Sequence, residues 1–247
     1  MSSDVSEADL TEAMPGRPVR AYPALLSTEA EATAWARAGA SAGSVVVAGY
    51  QVSPRGRGGT PWQVRLGQGL GFSLVMRPDL TAEREGWPYV VASLGISDAL
   101  GGHATTLHWP DEVTHANGDR LAALGLTVQL GPQRTDWAVA TVLVEAALPP
   151  RAPLLAAVTA AIERRAAQPP AGVIEDYRSR CATLGQKVLA RMIPLGPAGP
   201  QVAGTAVDVL DDGALVLLTE RENRVAVRPQ NLGLLEPAEQ RNGVHEL

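Results

Sequence analysis

The chain has 247 residues, enough for one sizeable core and a small second domain. It is 45% hydrophobic and 19% charged, the composition of an ordinary globular protein, and its net charge of −5 gives no basic footprint for DNA or RNA. No apolar run reaches the roughly 18 residues of a membrane helix, the acidic start MSSDVSEADLTEAMPGRP does not read as a signal peptide, and the one cysteine, Cys181, excludes an internal disulfide framework, so the expected compartment is the cytoplasm.

Residues 1–20 are rich in Ser, Glu and Asp and lack apolar periodicity, so they are expected to form a disordered tail, too short for a DNA-binding helical domain. Ser27 or Thr28 can cap a helix running to about residue 40, with Glu31 as the capping-box partner of Thr28 and with Ala32, Trp35 and Ala36 buried. SVVVAGY is a short β-branched strand. A loop dense in Gly and Pro follows, QVSPRGRGGTPW, carrying Arg55 and Arg57, and GLGFSLVMRP reads as the next strand. The apolar spacing of Val90, Val91, Leu94 and Leu100 predicts a helix over 87–102. Asn117-Gly118 is a hairpin turn between DEVTHA and DRLAALGLTVQL. WAVATVLVEAAL is an apolar, central strand, and PLLAAVTAAIERRAAQ an amphipathic helix stopped by Pro169-Pro170. GVIEDYRSRCATLG reads as a last helix and hinge, with the domain boundary near Thr183. Beyond it QKVLARMI, QVAGTAVDVL, ALVLLTE and NRVAVRP are short strands that suggest a small barrel over 183–237, before a tail at 238–247.

Several of these segments form an ordered set. LLSTEAEA, then SVVVAGYQVSPRGRGGTPW, then GLGFSLVMRP, followed by HWPDEVTHANGDRLAAL and DYRSRCATLGQKV, resembles the biotin–protein ligase family from residue 22 to about 236. The resemblance implies an α+β fold, in which a mixed β-sheet flanked by helices (21–182) is followed by an SH3-like barrel. It implies biotin–[carboxyl carrier protein] ligase activity: ATP-dependent formation of biotinyl-AMP with Mg²⁺, then transfer to a lysine of a biotin carboxyl carrier domain. It also implies a homodimer through the sheet. By the same resemblance Ser27, Thr28 and Gln51 match the residues that hydrogen-bond the biotin ureido ring. Arg55 and Arg57 match the loop arginines facing carboxyl and phosphate, and Trp62 the tryptophan that closes the loop. Arg forks and a flexible Gly-rich loop suit a phosphate that must be neutralised and sheltered from water.

The departures from the family pattern carry information of their own. The lysine before Trp-Pro is His108 here, and Arg120 follows the Asn-Gly turn where the family has a lysine. Of 21 basic residues Lys187 alone is lysine, so no sequence neighbour replaces the missing one. Asn-Asp becomes Asp111-Glu112, Pro54 stiffens the loop entry, and the Gly-Ile-Gly-Xaa-Asn strand becomes WAVATVLVEAAL. These changes predict impaired ligase turnover. They leave open a non-catalytic binding or regulatory module, and a ligase for another acyl group such as lipoate. His103 and His115 bracket the region without metal-ligand spacing, so no metal site is expected, and Cys181 reads as a buried packing thiol.

Overall fold

The structure, a computed structural model, describes residues 4–62, 68–145, 147, 150–196 and 198–238. Its larger unit is a seven-stranded mixed sheet of order β1-β2-β3-β7-β6-β5-β4. The strands are β1 (Val19–Tyr22), β2 (Val45–Ala48), β3 (Leu70–Met76), β4 (Thr105–His108), β5 (Glu112–His115), β6 (Arg120–Leu130) and β7 (Thr135–Val144). Only β1 and β2 pair in parallel. Strand β7 is central, as its unbroken apolar run implied, and the Asn117-Gly118 turn joins β5 to β6. The α+β class expected from sequence is the one observed.

Alternation along β3 decides which helix covers which face. Leu70, Phe72, Leu74 and Met76 face α3 (Trp87–Leu100) and α4 (Ala152–Ala166), in the main core. Val75, on the other face, packs with Val46, Trp137 and Val139 under α2 (Thr28–Arg37), through Ala32 and Ala36. Trp35, expected in the core, is half-buried and lies under the Arg20 guanidinium, 4.1 Å from its ring centre. Helix α3 is buried from Trp87 to Ser97, and Gly95 lets α4 cross closely: a Cβ there would sit 2.5 Å from Ile162 Cα.

The tail expected over 1–20 is corrected for its described part. Helix α1 (Glu7–Ala13) is closed by a Ser6–Asp9 capping box, and it buries Leu10 against α4 together with Val5 and Met14. Asp4 receives three donors from Arg151: N at 2.7 Å, Nε at 2.8 Å and Nη2. The acidic composition hid this anchoring because three well-spaced apolar residues and one paired carboxylate suffice for it. Of the second expected tail, 239–247 lies outside the described residues.

After α5 (Pro170–Arg180) comes a second, antiparallel sheet of order β11-β10-β9-β8-β12. Its strands are β8 (Lys187–Met192), β9 (Gln201–Val209), β10 (Leu215–Leu218), β11 (Arg224–Val227) and β12 (Leu232–Pro237). It docks on the first unit through Trp109, whose Nε1 donates to Gly213 O at 2.9 Å, and through Gly86, which abuts Gly213 and Pro229. No helix among the described residues is long and apolar enough to cross a membrane.

Candidate functional site

The Pro- and Gly-rich loop after β2 folds into a small hairpin. Gly56 N donates to Thr60 O at 2.8 Å and Trp62 N to Pro54 O at 2.9 Å, while Gly58 and Gly59 take φ of 61° and 78° at its tip. The loop lies flat because two glycines meet: a Cβ on Gly125 of β6 would be 3.0 Å from Gly56 C. Trp62 closes over Gly56, where a Cβ would fall 2.3 Å from the indole nitrogen. Gly125, Thr141 and Ser73 are register neighbours across β6, β7 and β3, so the loop covers one end of a polar row.

That row is a buried hydrogen-bond relay. Ser73 Oγ lies 2.9 Å from Thr141 Oγ1 and donates to Thr28 Oγ1 at 3.0 Å. Thr28 Oγ1 and its backbone N donate to Gln51 Oε1 at 3.1 and 2.8 Å. Each hydroxyl passes its one proton along, so Gln51 Oε1 is the terminal acceptor and its amide nitrogen faces Gly71, where no side chain intervenes. Thr28 is 0% exposed, Gln51 4% and Ser27 7%. Ser27 occupies the N-cap position of α2, yet its hydroxyl makes no cap bond and, among the described residues, is buried without a partner. The expected Ser/Thr cap is therefore corrected: Thr28 is spent on the relay, and Glu31 pairs with Arg20 and Tyr22. A buried hydroxyl without a partner is costly unless something else satisfies it.

Beside the loop a cleft of about 800 Å³ opens between the two sheets, lined among others by Arg57, Trp62, His108, Arg120 and Ala123. Its arginines are already engaged. Arg57 Nε donates to Asp111 Oδ2 at 2.9 Å, and Arg57 Nη1 donates to the Leu232 carbonyl of β12, tying the loop to the second sheet. Arg120 bonds Glu112 Oε1 at 2.9 Å and also the Glu145 carboxylate. Burial pushes the Asp111 carboxyl above the usual carboxylate range, against the pull of Arg57. His108 Nε2 lies 3.2 Å from Thr114 Oγ1.

The residues singled out from sequence thus fall into three groups. Ser27, Thr28 and Gln51 come together at the relay; Arg57, Trp62, His108 and Arg120 line the cleft. Arg55 joins neither. It is exposed and donates to Gly59 O of its own loop at 3.0 Å, because the hairpin turns its side chain outward. Among the described residues no three His, Cys, Asp or Glu side chains cluster as a metal set. Cys181 is buried, and burial raises its thiol pKa. Sequence reasoning missed Ser73 and Thr141, although a hydroxyl inside each of two apolar strands was a legible signal. It also set aside Lys187, which the second sheet brings into the cleft wall.

No family model matches the chain. Two curated relatives do, both bifunctional ligase/repressor BirA proteins. The one from Bacillus subtilis is 30% identical over 128 residues, covering 50% of this chain and 38% of that protein. The one from Bacillus spizizenii is 28% identical over 111 residues, covering 44% of this chain and 34% of that protein. The chain spans just over a third of the length of these relatives. Among solved structures, the Aquifex aeolicus biotin protein ligase in complex with biotin and ATP superposes with a TM-score of 0.68 at 19% identity, covering 90% of this chain and 99% of that one. A biotin protein ligase-like protein of unknown function from Silicibacter gives 0.64 at 18% identity, covering 87% and 96%. Over about half its length the chain is similar in sequence to these ligase/repressors, and it has the fold of the biotin protein ligases.

Proposed function

We propose that this chain is a biotin–protein-ligase-like protein that binds biotin or a related acyl ligand against the Gln51 relay and forms its adenylate from ATP only slowly. The observation that carries the reading is the state of the cleft: both arginines lining it are paired with carboxylates, Arg57 with Asp111, and Arg120 with Glu112 and Glu145. A triphosphate entering there meets guanidinium charge that carboxylates already neutralise, and turning Arg57 fully to it would leave Asp111 buried without its partner. His108 has a shorter side chain than lysine, and its Nε2 lies 3.2 Å from Thr114 Oγ1. Losing one charge contact to a transition state lowers a rate by about 10²–10³.

The acyl end is supported differently. The relay fixes Gln51 Oε1 as acceptor, leaving its amide nitrogen and the unpartnered Ser27 hydroxyl to meet a polar ring, with Trp62 and the Gly56–Gly125 contact shielding the site from water. Within this reading biotin carboxylate attacks the α-phosphate of ATP and pyrophosphate leaves; a carrier-domain lysine later attacks the acyl carbon, forming an amide as AMP leaves. Mg²⁺ would accompany the nucleotide; Asp111 and Glu112 each give one oxygen, Oδ2 and Oε1, to a guanidinium, and their second oxygens are the ones that would hold the ion.

Calorimetric titration with biotin, then with a non-hydrolysable biotinyl-AMP analogue, tests the proposal. Micromolar or tighter binding of the analogue, weakened by Arg57→Ala, supports it. Absence of binding of either ligand at millimolar concentration overturns it.

A further inference from the structure

Lys187 is the only lysine of the chain and lies far from His108 in sequence. The backbone closes that gap. Ala182 N donates to Leu107 O and Trp109 N to Thr183 Oγ1, each at 2.9 Å, so residues 181–183 run beside the end of β4. A turn follows, with Gln186 N donating to Thr183 O at 3.1 Å. The chain re-enters the cleft wall at Gln186 and Lys187, where β8 begins.

The other charged side chains lining the cleft itself are paired. Arg57 is held by Asp111, and Arg120 by Glu112 and Glu145. Glu236, the cleft's remaining carboxylate, accepts from Arg191 Nε at 2.6 Å across β8 and β12. Lys187 is exposed, and among the described residues its ammonium has neither an ion-pair nor a hydrogen-bond partner. It stands on the rim of the cleft, shared with an open groove along β9 and β10. An ammonium on a flexible four-carbon stem can swing to an incoming anion, whereas both arginines are tethered to carboxylates.

We propose that Lys187, delivered by the second sheet, is the cation that contacts the phosphate of a bound acyl-adenylate, in place of a lysine at position 108. The proposal deepens the reading under Proposed function and rests on it. It makes the second sheet part of the ligand site. Arg57 then positions the loop, and Lys187 reads the anion.

Calorimetry on the full chain with three probes tests this: the non-hydrolysable biotinyl-AMP analogue, uncharged biotin amide, and inorganic pyrophosphate. Lys187→Ala is expected to weaken the analogue and pyrophosphate about tenfold and to leave biotin amide unchanged, as for loss of one charge-assisted contact. Lys187→Arg should keep most of the affinity. Thermal melts of both variants should match the parent, since the side chain is exposed. If Lys187→Ala binds the analogue as the parent does, Lys187 is a solvated lysine and the inference fails while the ligand reading stands. If the parent binds pyrophosphate but neither biotin probe, and Lys187→Ala loses pyrophosphate, the ligand reading fails and the anion contact stands. If the parent binds none of the probes, both fail.

Discussion

Two polar clusters meet around the glycine-rich loop, and they are satisfied in different ways. The relay from Thr141 through Ser73 and Thr28 to Gln51 is buried, uncharged and directional, with one hydroxyl left open at Ser27. The cleft beside it is charged and half-open, and carboxylates of the same protein answer both of its arginines. A relay that ends on an amide and an open hydroxyl is ready for an uncharged polar ring. A cleft whose guanidinium groups are already paired offers phosphate less uncompensated positive charge. In the proposed function, ligand recognition and phosphate chemistry rest on these separate sets of bonds.

Substitutions can break this comparison at either cluster. The largest expected effect is that of Arg57→Ala, which strands the Asp111 carboxylate beneath the loop and should lower unfolding free energy by about 3 kcal/mol in urea titrations at pH 7. The sign with pH follows from burial: a carboxyl raised in the folded state gives stability at low pH that is lost as pH rises through its folded pKa. The deficit of Arg57→Ala should therefore narrow as Asp111 takes up a proton on acidification.

Thr28→Val should cost about 1–2 kcal/mol in the same assay, since it keeps the shape but leaves Ser73 without its acceptor and Gln51 Oε1 with one donor fewer. It should also weaken biotin while leaving pyrophosphate binding untouched, which separates the two clusters directly. Asp111→Asn acts on the other one. It frees Arg57 from its ion pair and should tighten the biotinyl-AMP analogue several-fold, by an amount of about 1 kcal/mol. The parent's affinity for the analogue should rise on acidification as Asp111 is protonated, and the variant's should stay flat. The smallest effect belongs to Glu145→Gln, which weakens one half-exposed bond to Arg120 and should change stability by about 0.5 kcal/mol or less.

Much of the larger unit was legible because its signals are local. The apolar runs of β2, β3 and β7 and the Asn117-Gly118 turn mark strands without reference to anything distant. Strand β1 is four half-buried residues, and β4 is split from its context by Trp109-Pro110, so neither has a pattern strong enough to read. The site was legible at Ser27, Thr28, Gln51 and Arg57, where motif order carries it. It was not legible where partners are remote: Arg57 ends on a backbone carbonyl of β12, and Asp111 meets Arg57 only because Gly56 rests on Gly125. Arg55 shows the converse, since the loop motif names two arginines and the hairpin turns one of them away. Lys187 was dismissed for its distance along the chain, and only the turn after Thr183 brings it to the cleft.

The measurement that tests the account most directly is biotin-dependent ATP–pyrophosphate exchange by the parent chain and Asp111→Asn, side by side at saturating biotin. The account predicts parent exchange at least about 10²-fold below the ~10 s⁻¹ typical of enzymes, with a several-fold gain in the variant. Exchange by the parent at an ordinary enzymatic rate, or a further loss in Asp111→Asn, would contradict the claim that its own carboxylates hold the cleft closed to phosphate.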